Sequence, residues 1–228
     1  MTRQQLREFA VPLFFLVLAT ALIAASGADL KTSATFCIGG KWPVGDREPW
    51  HFLYVLDRIP AFALAGWGLA AAIAGFVSRQ RRRWLKPGLF LVVLLALGPG
   101  LTVNALFKEF WGRPRPREVQ QFGGTKQFLH PWQPGIAHKG RSFPSGHSSA
   151  AFYMSAPFFI LRRSNRRAAS RWLAGGVVFG ILMSAARIIQ GAHFLSDTLW
   201  AWGMVHLIAV ALYYLMRPDL EHAPAPAP

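Results

Sequence analysis

The chain has 228 residues, enough for one domain, with 53% apolar residues, one cysteine and a formal charge of +15. A single cysteine excludes an intrachain disulfide and any cysteine-built metal site. The charge would suit a nucleic acid, but the cations flank long uncharged runs, the pattern of membrane helices facing anionic lipid, and nucleic acid is set aside as a partner.

The first apolar run, at about 9–26, follows Arg3 and Arg7. Small residues near Ala24 and Gly27 leave a cleaved signal peptide as the alternative. The core is long for a signal, and an uncleaved first helix is preferred. Further runs fall at about 59–78, 87–107, 148–161, 172–186 and 194–216. A spanning helix takes roughly 17–25 mostly apolar residues, so 148–161 and 172–186 are short unless their polar ends join them.

Six runs predict an all-α polytopic membrane protein, a six-helix bundle with both termini on one side. That side also receives Arg79, Arg81, Arg82, Arg83, Lys86, Arg162, Arg163, Arg166, Arg167, Arg171 and Arg217, which makes it cytoplasmic by the positive-inside rule. Residues 1–221 are expected to form one integral-membrane domain and 222–228, an Ala/Pro run with nothing to bury, a disordered tail. Asp57 and Arg58, ahead of the second run, read as a local pair.

Three polar blocks sit at run ends on the opposite side. Block one, Lys108 to Pro116, follows the third run, and Gly112, Pro114 and Pro116 end any helix there. The connection that follows, within 109–143, is long enough to expect a functional loop. Block two, Pro144-Ser145-Gly146-His147, opens the fourth run. Pro144 suits a first helical turn, and the amides of Ser145, Gly146 and His147 are expected as open helix donors. Block three holds Arg187 at the end of the fifth run, then Gly191, His193 and Asp197.

These residue types are what phosphoryl chemistry requires. Lys108, Arg115 and Arg187 supply positive charge and forked donors for phosphate oxygens. Gly146 lets the backbone approach an anion at a helix start. His193 and Asp197, at i and i+4, are expected to share a helix face, the carboxylate holding one imidazole nitrogen while the other meets phosphorus. His147 is then the general acid for the leaving oxygen. Singly, each group has an ordinary explanation: a cap, an interfacial cation, a chance His-x-x-x-Asp. Their joint order and shared membrane face carry the functional reading. His130 and His138 have no such partners and read as loop residues.

With those positions in hand, the chain resembles the type 2 phosphatidic acid phosphatase family, whose signature is Lys-x6-Arg-Pro, Pro-Ser-Gly-His and Ser-Arg-x5-His-x3-Asp. Lys108/Arg115/Pro116, Pro144–His147 and Arg187/His193/Asp197 match at every internal spacing, and Ala186 stands where the family has serine. The resemblance implies a helical fold and a metal-independent reaction without cofactor. It also implies a phosphohistidine on His193, His147 as acid, Asp197 as orienter, and phosphate held by Lys108, Arg115, Ser145, Gly146 and Arg187. The run Trp111 to Pro116, with Phe122-Gly123-Gly124, is similar to the bacterial branch that includes lipid A phosphatases.

The expected partners are therefore the bilayer and a membrane lipid phosphate. The enzyme is expected in a bacterial inner membrane with its site facing the periplasm. Lipid A, undecaprenyl pyrophosphate, phosphatidylglycerol phosphate and phosphatidic acid all fit as substrates, and oligomeric state is left open. Arg113, Arg117, Lys126, Lys139 and Arg141 are expected either to meet a second phosphate or to contact anionic headgroups. Two other readings use the same cations: a lipid phosphotransferase fed by a polyprenyl pyrophosphate, and a non-enzymatic anion-binding membrane protein.

Overall fold

The computed structural model describes residues 2–56 and 58–219. The Ala/Pro tail and Asp57 lie outside the described residues, and so do the expectations that rest on them.

Helix α1 (Arg3–Ser26) starts at Thr2, whose hydroxyl accepts from the Gln5 amide while the Gln5 side chain accepts from the Thr2 amide. This reciprocal cap satisfies two donors that a helix start leaves open. Two short helices follow, α2 (Ala28–Phe36) and α3 (Trp50–Leu56), then α4 (Ile59–Val77). The third apolar run begins as α5 (Leu85–Leu95), widens into a π-helical stretch over Ala96–Phe107 and finishes as α6 (Lys108–Phe110). Pro99 lies inside that stretch, where it has no N–H to give, and the Asn104 side-chain amide donates to the Pro99 carbonyl at 2.6 Å. The chain continues as α7 (Gly146–Tyr153), α8 (Pro157–Leu161), α9 (Arg166–Ile189) and α10 (Leu195–Met216).

Among the described residues, five helical segments are long and apolar enough to cross a membrane: Arg3–Ser26, Trp50–Val77, Arg79–Phe110, Arg166–Ile189 and Leu195–Met216. They turn large apolar side chains outward, among them Phe14, Phe62, Phe76 and Ile181, as lipid-facing helices do. The fourth of the six expected runs differs. It is helical, but a turn at Met154–Ala156 divides it into α7 and α8. Pro157, opening α8, cannot continue the hydrogen-bond ladder from the turn before it. Neither piece is long enough to span, and nearly all of α7 is buried.

Helices α7 and α8 form the centre of the bundle, packed against α5, α9 and α10. Phe90, Leu91, Tyr153, Phe159, Val205 and Tyr213 meet there, and the Tyr153 hydroxyl donates to the Leu91 carbonyl at 2.9 Å. Gly180 of α9 admits the Phe152 ring so closely that an added Cβ would lie 2.1 Å from it. Such small-residue contacts are how helices associate without a hydrophobic drive between them. At one end of the bundle, α1 and α8 are tied by Arg162, whose Nη1 donates to Glu8 Oε2 at 2.8 Å. The three polar blocks meet at the other.

Candidate active site

The blocks are joined first by backbone. The Ser145 amide donates to the Asp197 carbonyl at 3.1 Å, linking blocks two and three. The Arg117 amide donates to the Gly191 carbonyl at 3.2 Å, linking the loop after block one to block three. Gly146 closes the third side: a Cβ there would stand 3.1 Å from Lys108 Nζ and 2.4 Å from Asn104 Oδ1. Lys108 is in turn within electrostatic reach of Arg115, Arg187, Arg141 and Arg58. The three predicted phosphate-binding cations are thus gathered, with Arg58 and Arg141 beside them.

His193 is fully buried in the short link between α9 and α10. Its Nδ1 lies 2.7 Å from the Ser142 carbonyl oxygen. A carbonyl only accepts, so Nδ1 carries the proton and Nε2 presents its lone pair. Nε2 is buried and has no hydrogen-bond partner. A buried polar nitrogen without a partner is costly, which makes Nε2 a candidate for meeting a ligand.

The expected helix face shared by His193 and Asp197 is not formed, because α10 begins only at Leu195. Asp197 is in the first turn, and its Oδ2 caps the Phe194 amide at 2.7 Å. The same oxygen is 3.8 Å from His193 Nδ1, an ion-pair distance too long for a hydrogen bond, and accepts from the Ser142 hydroxyl at 2.6 Å. Ser142 therefore stands between carboxylate and imidazole: its hydroxyl is fixed by Asp197 and its carbonyl fixes His193.

Asp197 is itself held by a residue that the sequence reading placed elsewhere. Arg113 was expected to face a second phosphate or headgroups. It is instead fully buried, with Nη1 donating to Asp197 Oδ1 at 2.5 Å and to Ser196 Oγ at 2.8 Å. Its Nη2 donates to Asp29 Oδ2 at 2.9 Å and its Nε to the Leu129 carbonyl at 2.8 Å, while the guanidinium lies over the Phe194 ring at 4.6 Å. Asp29, from α2, also accepts from the Ser196 amide and hydroxyl. Two buried carboxylates next to one guanidinium explain the placement: neither could stay ionised there unpaired. Of the other extra cations, Lys126 pairs with Glu118 and the Lys139 carbonyl, and Arg141 pairs with Glu109.

His147 stacks on Tyr54 at 5.5 Å between ring centroids, and the Arg187 guanidinium lies over the same ring at 4.9 Å. Arg187 Nη1 also donates to Gln190 Oε1 at 2.5 Å. Burial first, and then Arg187, His193, Lys108 and Arg58, hold His147 well below the ordinary imidazole range. The ring is therefore held neutral by these neighbours, and an entering phosphate dianion would offset the cations that keep it so.

Of the three amides expected to be open at the start of α7, that of Ser145 is not. Ser145 N–H is taken by Asp197, and the Ser145 hydroxyl lies 2.9 Å from that of Ser148. Gly146 and His147 follow in the first helical turn.

Sequence reasoning missed Tyr54, Ser142, Gln190, Asp29 and the proximity of Arg58. Ser142 lies two residues before the second block, and a widened motif would have reached it. Tyr54 and Asp29 carried no local signal, since only the packing of α2 and α3 brings them in. His130 and His138 stay in the loop, His130 stacked on Trp132 at 4.8 Å. Among the described residues no group of three His, Cys, Asp or Glu side chains is placed to hold a metal ion.

Two predictions follow from this geometry. Gly146→Ala drives a methyl group against Asn104 and Lys108 and displaces the anion cradle. We expect a loss of about 10²-fold in kcat/KM, the scale of a 1 Å misplacement, with the thermal midpoint little changed. The second concerns pH. Burial, reinforced by Lys108 and Arg187 and opposed by Asp197, holds His193 at about 4, below the ordinary 6.5. A depressed imidazole pKa leaves the folded state binding fewer protons than the unfolded chain between these values. Its contribution to stability is complete above 6.5 and is lost as pH falls towards 4. The acid limb of kcat/KM, corrected for ionisation of the substrate phosphate, should accordingly fall near pH 4. A limb at 6.5 would contradict the buried, neutral His193.

The family model described as the PAP2 superfamily matches residues 87–220. A lipid A 4'-phosphatase of Francisella tularensis subsp. novicida is 35% identical over 148 residues, covering 64% of this chain and 66% of that protein. A lipid A 4'-phosphatase of Rhizobium etli is 35% identical over 199 residues, 84% of this chain and 74% of that one. Phosphatidylglycerophosphatase B of Bacillus subtilis is 26% identical over 214 residues and 90% of each chain. A solved transmembrane PAP2-type phosphatidylglycerolphosphate phosphatase from Bacillus subtilis superposes with a TM-score of 0.51 over 92% of this chain and 94% of that one, at 19% identity. At that identity the likeness establishes the fold.

Proposed function

The chain belongs to the PAP2 superfamily, and we propose that it is a multi-pass membrane phosphatase that removes phosphate from a lipid through a phosphohistidine on His193. The observation that carries this reading is the state of that imidazole: Nδ1 is fixed on the Ser142 carbonyl, and the buried Nε2 is left without a partner beside Lys108 and Arg187.

The phosphate enters with its non-bridging oxygens against Lys108, Arg115, Arg187 and the start of α7 at Gly146. Catalysis of phosphoryl transfer is mostly positioning and charge stabilisation, and this cradle supplies both. The His193 Nε2 lone pair forms the N–P bond as the P–O bond to the lipid breaks. His147, protonated once the dianion offsets its neighbours, gives its proton to the departing lipid oxygen. Positive charge developing on His193 is met by Asp197 through Ser142. A water then attacks phosphorus as His147 takes its proton, the N–P bond breaks, and inorganic phosphate leaves. No step requires a cofactor.

Lipid A carrying a phosphomonoester is the favoured substrate, because relatives named as lipid A 4'-phosphatases are 35% identical over as much as 84% of this chain. Phosphatidylglycerol phosphate is the second reading, favoured by a relative that aligns over 90% of both chains. The arginine-rich segments lie at the end of the bundle away from the site. By the positive-inside rule this supports a site facing the periplasm and both termini in the cytoplasm of a bacterial inner membrane.

The test is phosphate release by protein purified in detergent with chelator present, on lipid A, phosphatidylglycerol phosphate, phosphatidic acid and undecaprenyl pyrophosphate. We expect turnover with chelator and fastest release from lipid A. Absence of release from every member of the panel would overturn the reading. Radiolabel recovered in a second lipid in place of free phosphate would replace it with phosphotransfer.

A further inference from the structure

A second cluster of cations lies at the opposite end of the bundle, where α1 begins, α8 and α10 end and α9 starts. Arg162, Arg163, Arg166 and Arg217 line a cavity of about 580 Å³ there, together with Glu8 and Tyr213. Arg162 is fixed on two sides, by its hydrogen bond to Glu8 and by the Tyr213 ring, whose centroid is 3.5 Å from the guanidinium carbon. Arg163 Nε lies 3.6 Å from Asp219 Oδ2. Among the described residues the cluster therefore sets four guanidinium groups against two carboxylates, Glu8 and Asp219, an excess of two positive charges.

This cavity continues into a second one. An adjoining groove of about 470 Å³ shares Gln4, Glu8, Phe158 and Arg162 with it and runs between α1, α9 and α10 past Val11, Pro12, Leu173 and Val210. A charged chamber at the end of the helices thus opens into an apolar channel along them. Inorganic phosphate would use only the first part and a detergent tail only the second.

We propose that this end of the protein is a binding site for an anionic phospholipid, its phosphate among Arg163, Arg166 and Arg217 and one acyl chain along the groove. The site is separate from the phosphate cradle around Lys108 and does not depend on the reaction assigned to that cradle. Arginine favours it on both counts: the planar fork suits phosphate oxygens, and the stem covers apolar surface. Basic pockets between membrane helices bind acidic headgroups on the same principle. Because Arg162 and Glu8 bridge α1 and α8 at the mouth, an occupied site would brace the bundle at that end.

The experiment is thermal unfolding of the full chain, delipidated in a neutral detergent and titrated with phosphatidylglycerol, phosphatidylcholine or inorganic phosphate. Phosphatidylglycerol should raise the midpoint by on the order of 5 °C at saturation. Phosphatidylcholine and inorganic phosphate should leave it nearly unmoved. The double variant Arg166→Gln/Arg217→Gln should lose most of the phosphatidylglycerol shift, its lipid-free midpoint showing that it folds. Arg81→Gln/Arg82→Gln, with the same loss of charge outside the cavity, should keep the shift. An equal shift in both double variants would overturn the site, as would an equal shift with phosphatidylcholine. A full shift with inorganic phosphate alone would overturn the lipid as its occupant.

Discussion

His193→Ala should abolish lipid phosphate hydrolysis, with a fall in turnover of about 10⁴- to 10⁶-fold, the range in which removal of an enzymic nucleophile falls. The ring it removes is buried and donates one hydrogen bond, from Nδ1 to Ser142. The proposed phosphate cradle of Lys108, Arg115 and Arg187 is untouched, so KM should move far less than kcat. His147→Ala should cost less, about 10²- to 10⁴-fold, because it removes a proton donor and leaves the nucleophile in place. The gap between the two is diagnostic. Equal losses for substrates with poor and good leaving groups would contradict the acid role of His147, since a good leaving group needs little protonation. Phosphate release measured on both variants, over at least two substrates, decides it.

The second large effect is on the fold. Arg113→Met should lower the thermal midpoint by on the order of 10 °C and remove most activity. The mutation leaves Asp29 and Asp197 buried and uncompensated, and breaking a buried ion pair from one side costs about 3–5 kcal/mol. Asp29→Asn should be milder, because Asp197 and Ser196 still engage the guanidinium. Loss of Asp29 also frees Ser196, whose amide and hydroxyl both bond that carboxylate. The two substitutions share one network, so their combined effect should depart from the sum of the single effects. An unchanged midpoint and unchanged turnover in Arg113→Met would remove this residue from the support of Asp197.

The contrast between Arg113 and Arg115 shows what was legible in the sequence. Both are arginines before a proline in the same block, two positions apart. One is wholly buried against Asp29 and Asp197, while the other is half-buried within electrostatic reach of Lys108. Motif spacing identified Arg115, but nothing local separates the two, because the partner that claims Arg113 is eighty-four positions away in the chain. The spacing of His193 and Asp197 was read as a shared helix face. The helix start intervenes, since a carboxylate three residues beyond Phe194 is drawn to that amide, and Ser142 fills the gap.

Hydrophobic run length served well for α1, α4, α5, α9 and α10. It served less well for 148–161, where small and apolar residues mark burial among protein helices and the proline at 157 divides the segment. Run length records how apolar a segment is, and a segment enclosed by other helices is as apolar as one facing lipid.

The central claim is that phosphorus passes through Nε2 of His193. It is tested most directly by mixing the enzyme with a lipid substrate labelled at phosphorus, stopping the reaction with alkali within the first turnover, and mapping the labelled peptide. Phosphohistidine survives alkali and is lost in acid. The account predicts alkali-stable, acid-labile label on the peptide containing His193, present in wild type and absent from His193→Ala. Full phosphate release in the first turnover with no protein-bound label, or label retained in His193→Ala, would contradict it.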